Sequence, residues 1–246
     1  MSYNKFYAFA QTFVAPVVRG YSRLEVCGAS NLPEPGRGAL LACNHSGSLW
    51  WDALCLISAL PDRQLQFIAH HWDAKVPAIK AMLDLVDCSF LDACEHDIDE
   101  QCEVVERLRA GEQMCIYPEE SYHSFRHRYT LFQFSPHVIR YARAADVPVI
   151  PVGIVGVEEA APTLFGFKKA EVPLHIPLHP PVILPVKVTI EIGEPVSVAS
   201  LAGTQGDDAD VDEMANRLRQ RVATLINRHR PCHVSDEKYI HRQSWF

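Results

Sequence analysis

The sequence predicts an α/β domain: a mixed, largely parallel central sheet flanked by helices, with an N-terminal amphipathic helix. Three observations carry that prediction. Short apolar runs recur along the chain, separated by segments of helical length and periodicity, the pattern that parallel crossovers leave in a sequence. The length of 246 residues, without internal repeat or separating linker, asks for a single domain over 1–246. Apolar residues make up 48% and charged residues 22%, close to average globular usage, which excludes a disordered or collagen-like chain.

The elements follow in order. Tyr3, Phe6, Phe9, Ala10, Phe13, Val14, Val17 and Val18 recur three and four residues apart, one face of a helix within residues 1–20, with Pro16 bending its last turn. Such a helix either packs on its own domain or lies in a lipid interface; with only Lys5 and Arg19 for the polar face, core packing is the expectation. Arg23–Gly28 alternates as a strand, Asn31–Gly36 is a turn cluster, and Gly38–Asn44 is a buried strand. A helix over Trp51–Leu60, a strand over Gln64–Ala69, a helix over Pro77–Leu85 and a strand over Leu85–Leu91 come next. Asp97–Ala110 has helical spacing and stops at Gly111, ahead of a strand over Gln113–Tyr117. Phe134–Ala145 suits a helix, and Val147–Ile154 a strand whose prolines place it near an edge or a bulge. Val186–Ile192 alternates as a strand, and Val211–Arg228, within residues 207–230, is a terminal amphipathic helix. His175 and His179 fall in a proline-rich stretch expected to be surface loop.

Charge excludes several partners. The 23 Lys+Arg against 30 Asp+Glu give a formal charge of −7, which argues against a nucleic-acid binder and against a polybasic membrane anchor. The longest stretches without a charged residue, Phe6–Val18, Gly38–Trp51 and Val172–Val186, are too short to span a bilayer. With no leader signature either, the expected location is the cytoplasm, with any docking on the inner face of a membrane peripheral, through the Tyr3–Val18 helix. Eight scattered cysteines without a Cys-x-x-Cys pair predict buried thiols, not disulfides or a zinc site.

The chemistry concentrates in Cys43-Asn-His-Ser-Gly-Ser-Leu-Trp-Trp-Asp-Ala53, where a buried strand meets a helix. An unperturbed imidazole titrates near neutrality, so a histidine at position 45 can take a proton from a hydroxyl; a carboxylate such as Asp52 can fix its tautomer and stabilise the imidazolium. The segment resembles the first motif of the glycerolipid acyltransferases, the PlsC-type lysophospholipid acyltransferases, which reads Asn-His-x-x-x-x-Asp. Three further blocks appear in order: Val86-Asp-Cys-Ser-Phe-Leu-Asp92, Ile116-Tyr-Pro-Glu-Glu-Ser121, which is similar to Phe-Pro-Glu-Gly-Thr-Arg, and Val149-Ile-Pro-Val-Gly-Ile154. The flanks Asn31-Leu-Pro and Tyr141–Val149 agree as well, so the resemblance covers about residues 5 to 200.

The resemblance implies transfer of a fatty acyl group from a thioester, acyl-CoA or acyl carrier protein as co-substrate, to the hydroxyl of a lipid-like acceptor. No resident cofactor or metal is implied. His45 is then the general base and Asp52 its orienter; Asn44, Ser46, Glu119, Ser121, Arg126, Pro151 and Gly153 fall in the substrate site. Glu119 would hydrogen-bond an acceptor hydroxyl, and Gly153 would let the acyl chain or thioester approach the backbone.

The chain departs from the family pattern in its spacing and its charges. Asp52 lies two positions farther from His45 than the motif places it. Either the Gly47-Ser48 loop bulges and closes the gap, the expected geometry, or a helix starting at His45 holds the pair ~10 Å apart. Ala93 and Tyr122 stand where the family has arginines, and Glu120 replaces a glycine, which together disfavour a phosphate-bearing acceptor. Two other readings stay open: a lipid- or acyl-binding member of the fold without turnover, and a metal-dependent hydrolase using His123 and His127 with Glu119 and Glu120, or His70, His71 and Asp73.

Overall fold

The computed structural model describes residues 5–45, 50–69, 77–91, 102–120, 123–163, 165–168, 175–178, 182–203 and 210–237. The chain opens with α1 (Lys5–Phe9), a wide π turn over Ala10–Val14, and α2 (Ala15–Tyr21). Pro16 has no N–H to donate, and the helix accommodates it by loosening one turn, where Ala15 N–H bonds Ala10 O. Strand β1 (Glu25–Cys27) leads to β2 (Ala39–Cys43), α3 (Trp51–Ala59), β3 (Leu65–Ala69), α4 (Pro77–Leu85) and β4 (Ser89–Phe90). Then come α5 (Glu103–Arg109), β5 (Gln113–Ile116), β6 (Thr130–Leu131), α6 (His137–Ala145), β7 (Val149–Val155) and α7 (Val157–Ala160). Strands β8 (Phe165–Lys168) and β9 (His175–Leu178), β10 (Thr189–Ile192), α8 (Val198–Ala202), α9 (Val211–Asn227) and β11 (His233–Val234) complete the order.

Seven strands form one sheet in the order β1-β10-β7-β2-β5-β3-β4, parallel throughout except for the β10–β7 pair. Central β2 is buried at every residue, as its unbroken apolar run requires of a strand covered on both faces. Its side chains alternate between two cores. Leu40 and Ala42 join residues of α5, α6 and α9, while Leu41 and Cys43 join residues of the N-terminal helices, α3 and α4. A small antiparallel ribbon, β8–β9, and a parallel pair, β6–β11, stand apart from the main sheet.

Several sequence expectations are corrected. Strand β7 lies inside the sheet, third from its edge, although it contains Pro151. Its β10 ladder begins only at Val152, so the missing donor falls where that ladder has not yet formed, and Pro151 O accepts from Gly193 N at 2.8 Å. The strand expected over Leu85–Leu91 shrinks to two residues because α4 runs through Leu85 and the chain then turns at Asp87, φ 54°. Helix α6 begins at His137, after Pro136, since a proline restricts the residue before it. His175 belongs to β9 rather than to a loop; Tyr3, His70, His71, Asp73, Asp92, Ala93, Tyr122 and His179 lie outside the described residues.

The N-terminal helix has two apolar faces. Tyr7, Ala10, Ala15 and Val18 are buried; Tyr7 Oη accepts from Leu65 N at 3.0 Å, and Gln11 and Arg19 donate to carbonyls at the end of α3. Phe9, Phe13, Val17 and Tyr21 are exposed. Seven described cysteines are free thiols, five of them buried.

Gly156 ends β7 at φ 97°, and a Cβ there would collide with Lys187 O. Gly156→Ala is therefore expected to cost about 2 kcal/mol or more and to lower Tm by about 4–8 °C, measured by thermal unfolding under circular dichroism.

Candidate active site

Strand β2 leaves the sheet at Asn44, whose buried side-chain amide does for β7 what a peptide group would do. Its Nδ2 donates to Ile154 O at 2.9 Å, and Ile154 N donates to its Oδ1 at 2.7 Å. Asn44 thus holds the ends of two central strands in register. His45 emerges next, at the carboxyl end of the central strand, where α/β sheets gather their ligands.

Helix α3 starts only at Trp51, after Trp50 has taken a left-handed conformation, φ 51°. His45 accordingly stands outside the helix, and its Nδ1 lies 2.7 Å from Asp52 Oδ2. The seven-residue separation therefore does not keep the pair apart; residues 46–49, where a bulge was expected, lie outside the described residues. Asp52 is fully buried in the first turn of α3, where the positive end of the helix favours a carboxylate, and its Oδ1 accepts from Ala53 N at 2.8 Å. Tyr117, just past β5, stacks its ring on the His45 imidazole with centroids 4.4 Å apart. Two contacts thereby restrict the imidazole: a carboxylate at one nitrogen and a ring along one face.

Glu119 is buried and bound to the same histidine from the backbone side. Its Oε1 accepts from His45 N at 3.2 Å and its Oε2 from Phe132 N at 2.8 Å, while His123 Nε2 lies 3.2 Å from Oε2. Burial pushes its pKa up to about 8, against the two backbone hydrogen bonds that lower it. With both oxygens committed to amides, Glu119 ties the His45 segment to the strand before Phe132.

A second carboxyl was not legible in the sequence. Glu158, on α7 four residues beyond the Asn44 clamp, reads as one of two adjacent surface glutamates, yet it is 9% exposed. Burial first, and then the charges of Glu159 and Asp52, push its pKa up to about 8. Its Oε2 has no hydrogen-bond partner among the described residues.

The remaining expected site residues disperse. Pro151 and Gly153 project toward α9; a Cβ on Gly153 would stand 3.1 Å from Leu225 Cβ, so the space that glycine leaves is filled by helix packing and not by an acyl chain. Arg126 is exposed on a 3₁₀ turn, Phe125–His127, and Ser46 and Ser121 lie outside the described residues. The histidines proposed as a metal trio part company: His127 Nδ1 meets Ser124 Oγ at 3.1 Å, and Glu120 Oε1 meets His137 Nδ1 at 3.0 Å. Among the described residues no group of three or more His, Cys, Asp or Glu is arranged to hold a metal ion.

The described residues thus form a helix-covered mixed α/β sheet with a histidine–carboxyl pair at the end of its central strand. The chain belongs to the acyltransferase family, whose sequence model matches residues 23–155. It is 29% identical over 243 residues to the uncharacterized protein Rv0502 of Mycobacterium tuberculosis, covering 89% of this chain and 66% of that protein. It is equally 29% identical over 244 residues to the uncharacterized protein ML2427 of Mycobacterium leprae, covering 90% of this chain and 64% of that one. The chain thus spans about two thirds of the length of these relatives. Its fold is similar to that of a solved 1-acyl-sn-glycerophosphate acyltransferase, PlsC from Thermotoga maritima. The TM-score is 0.56 at 20% identity, covering 91% of this chain and 83% of that one.

The raised carboxyls set a direction for pH dependence. From the ordinary 4.5 up to about 8 the folded protein keeps protons on Glu119 and Glu158 that the unfolded chain has released. Their contribution to stability is therefore full below pH 4.5 and lost as pH rises through 8. Urea midpoints measured at pH 5 and pH 8.5 should fall further in the wild type than in Glu158→Gln, which cannot ionise.

Proposed function

We propose that this protein transfers a fatty acyl group from an acyl thioester, carried on coenzyme A or acyl carrier protein, to a hydroxyl of a lipid-like acceptor. The observation that carries this reading is the 2.7 Å contact between His45 Nδ1 and Asp52 Oδ2 across a lengthened motif. Nδ1–H donating to the carboxylate leaves the basic lone pair on Nε2. In the reaction, Nε2 takes the acceptor's hydroxyl proton as the oxygen attacks the thioester carbonyl. The tetrahedral oxyanion then collapses, the C–S bond breaks, and the departing thiolate takes the proton from the imidazolium. Asp52 stabilises that imidazolium, and no acyl-enzyme is needed. The 2.7 Å contact supports catalysis over the binding-only alternative, which a separated pair would have favoured.

Glu119 takes a different part from the one its motif suggested. Rather than meeting the acceptor, it fixes the backbone of the general base, so that the imidazole is held at N, Nδ1 and ring face together. A screen of donors against acceptors tests the reaction. His45→Ala should lower kcat by about 10²–10⁴-fold, and Asp52→Ala should also lower kcat, with little change in KM for either substrate.

Access to a lipid acceptor would come through the exposed Phe9, Phe13, Val17 and Tyr21. Tyr21 Oη donates to Ile183 O at 2.5 Å, which sets the exposed Val182 and Leu184 beside the stripe. We place this stripe in the interface of a membrane's cytoplasmic face. No helix among the described residues is long and apolar enough to cross a membrane. Phe13→Glu with Val17→Glu should abolish co-sedimentation with phosphatidylcholine vesicles while turnover of a micellar acceptor persists; unchanged sedimentation refutes the docking role.

A further inference from the structure

Glu158 is a buried carboxyl with one oxygen unsatisfied, and an unpaired buried polar atom is costly unless something fills it. It stands at the ligand end of the sheet, on the first turn after β7, whose end is clamped to the strand that delivers His45. Its charged and titratable neighbours come from every element around it. Asp52 of α3, Glu119 after β5 and Glu159 of α7 are acidic, while Tyr129 before β6 and Cys232 before β11 are weak acids whose pKa burial raises first and neighbouring carboxylates, Glu158 among them, raise further. Arg219 is the sole buried Lys or Arg among the described residues, and Asn216, Ser235 and Asp236 already hold its guanidinium. Arg126 and Arg128 are exposed.

Among the described residues this interior therefore offers a phosphate no buried cation besides Arg219. A carboxyl that keeps its proton offers one O–H donor and one C=O acceptor, the complement of an alcohol. Where a phosphate site would supply guanidinium forks, this one supplies three carboxyls, and the chain has Ala93 and Tyr122 at the two positions where its family carries arginine. Building on acyl transfer as proposed above, we infer that the acceptor is a lipid with an uncharged, hydroxyl-bearing head, and that Glu158 sets this preference by bonding a head-group oxygen through Oε2.

Binding in the absence of donor tests the inference apart from turnover, with tryptophan fluorescence as the signal, since Trp50 and Trp51 directly precede Asp52 at the start of α3. The probes are 1-acylglycerol and 1-acylglycerol 3-phosphate of one chain length in neutral detergent micelles. Wild type should bind the uncharged probe at least about tenfold more tightly, and Glu158→Leu should erase that preference. Between pH 7 and pH 9, as Glu158 ionises and ceases to donate, wild-type affinity for 1-acylglycerol should fall several-fold, whereas Glu158→Gln holds steady. A tighter phosphate probe in wild type overturns the inference whether or not Glu158→Leu folds, as does a pH profile shared by wild type and Glu158→Gln. Thioester consumption by wild type and His45→Ala is scored separately, so the acyl-transfer reading and the acceptor class stand or fall on different measurements.

Discussion

The pairing of Asn44 with Ile154 is the constraint on which the rest of the site depends. A strand that ends in the middle of a sheet leaves its neighbour's next N–H and C=O without partners, in a place water cannot reach. A side-chain amide offers a donor and an acceptor in the same planar group, and Asn44 supplies both to Ile154. Strand β2 is therefore free to depart one residue later while β7 runs on to Gly156. His45 inherits a rigid point of departure, and Gly156, through a conformation most residues avoid, turns the chain so that Glu158 comes back to the same end of the sheet.

Three carboxyls buried at that end are held in three ways. Asp52 has the amide dipoles of α3 and the imidazole of His45; Glu119 has two backbone amides; Glu158 has one oxygen with nothing assigned to it. Desolvation favours the neutral form of a carboxyl, and it prevails where partners are few or uncharged, as for Glu119 and Glu158, both raised to about 8. The site thus combines a carboxyl paired with the His45 imidazole and two carboxyls whose burial disfavours the charged form.

The N-terminal segment shows how one proline changes a helix without ending it. Pro16 widens the turn before it, and the loosened register shifts which residues face the core. Tyr7, Ala10, Ala15 and Val18 pack inward, as core packing requires, and the apolar stripe from Phe9 to Tyr21 faces out. The periodicity was sufficient to find the helix, but two apolar faces on one helix cannot be assigned until its neighbours are known.

Local periodicity and fixed spacing along the chain carry the fold class, the order of the seven main-sheet strands with the helices between them, the His45 motif and the two missing arginines, whereas the short elements β6, α7, β8, β9, α8 and β11 leave no such signal. Only the tertiary structure decided that seven residues of separation bring His45 and Asp52 together, since the turn at Trp50 and the start of α3 depend on how α3 packs against α2 and the sheet. It likewise assigned Gly153 and Pro151 to helix packing, drew Glu119 behind the histidine, and buried Glu158, which looks like any surface glutamate in the one-dimensional pattern. Burial and charge coupling are sums over residues far apart in the chain, and no local window contains them.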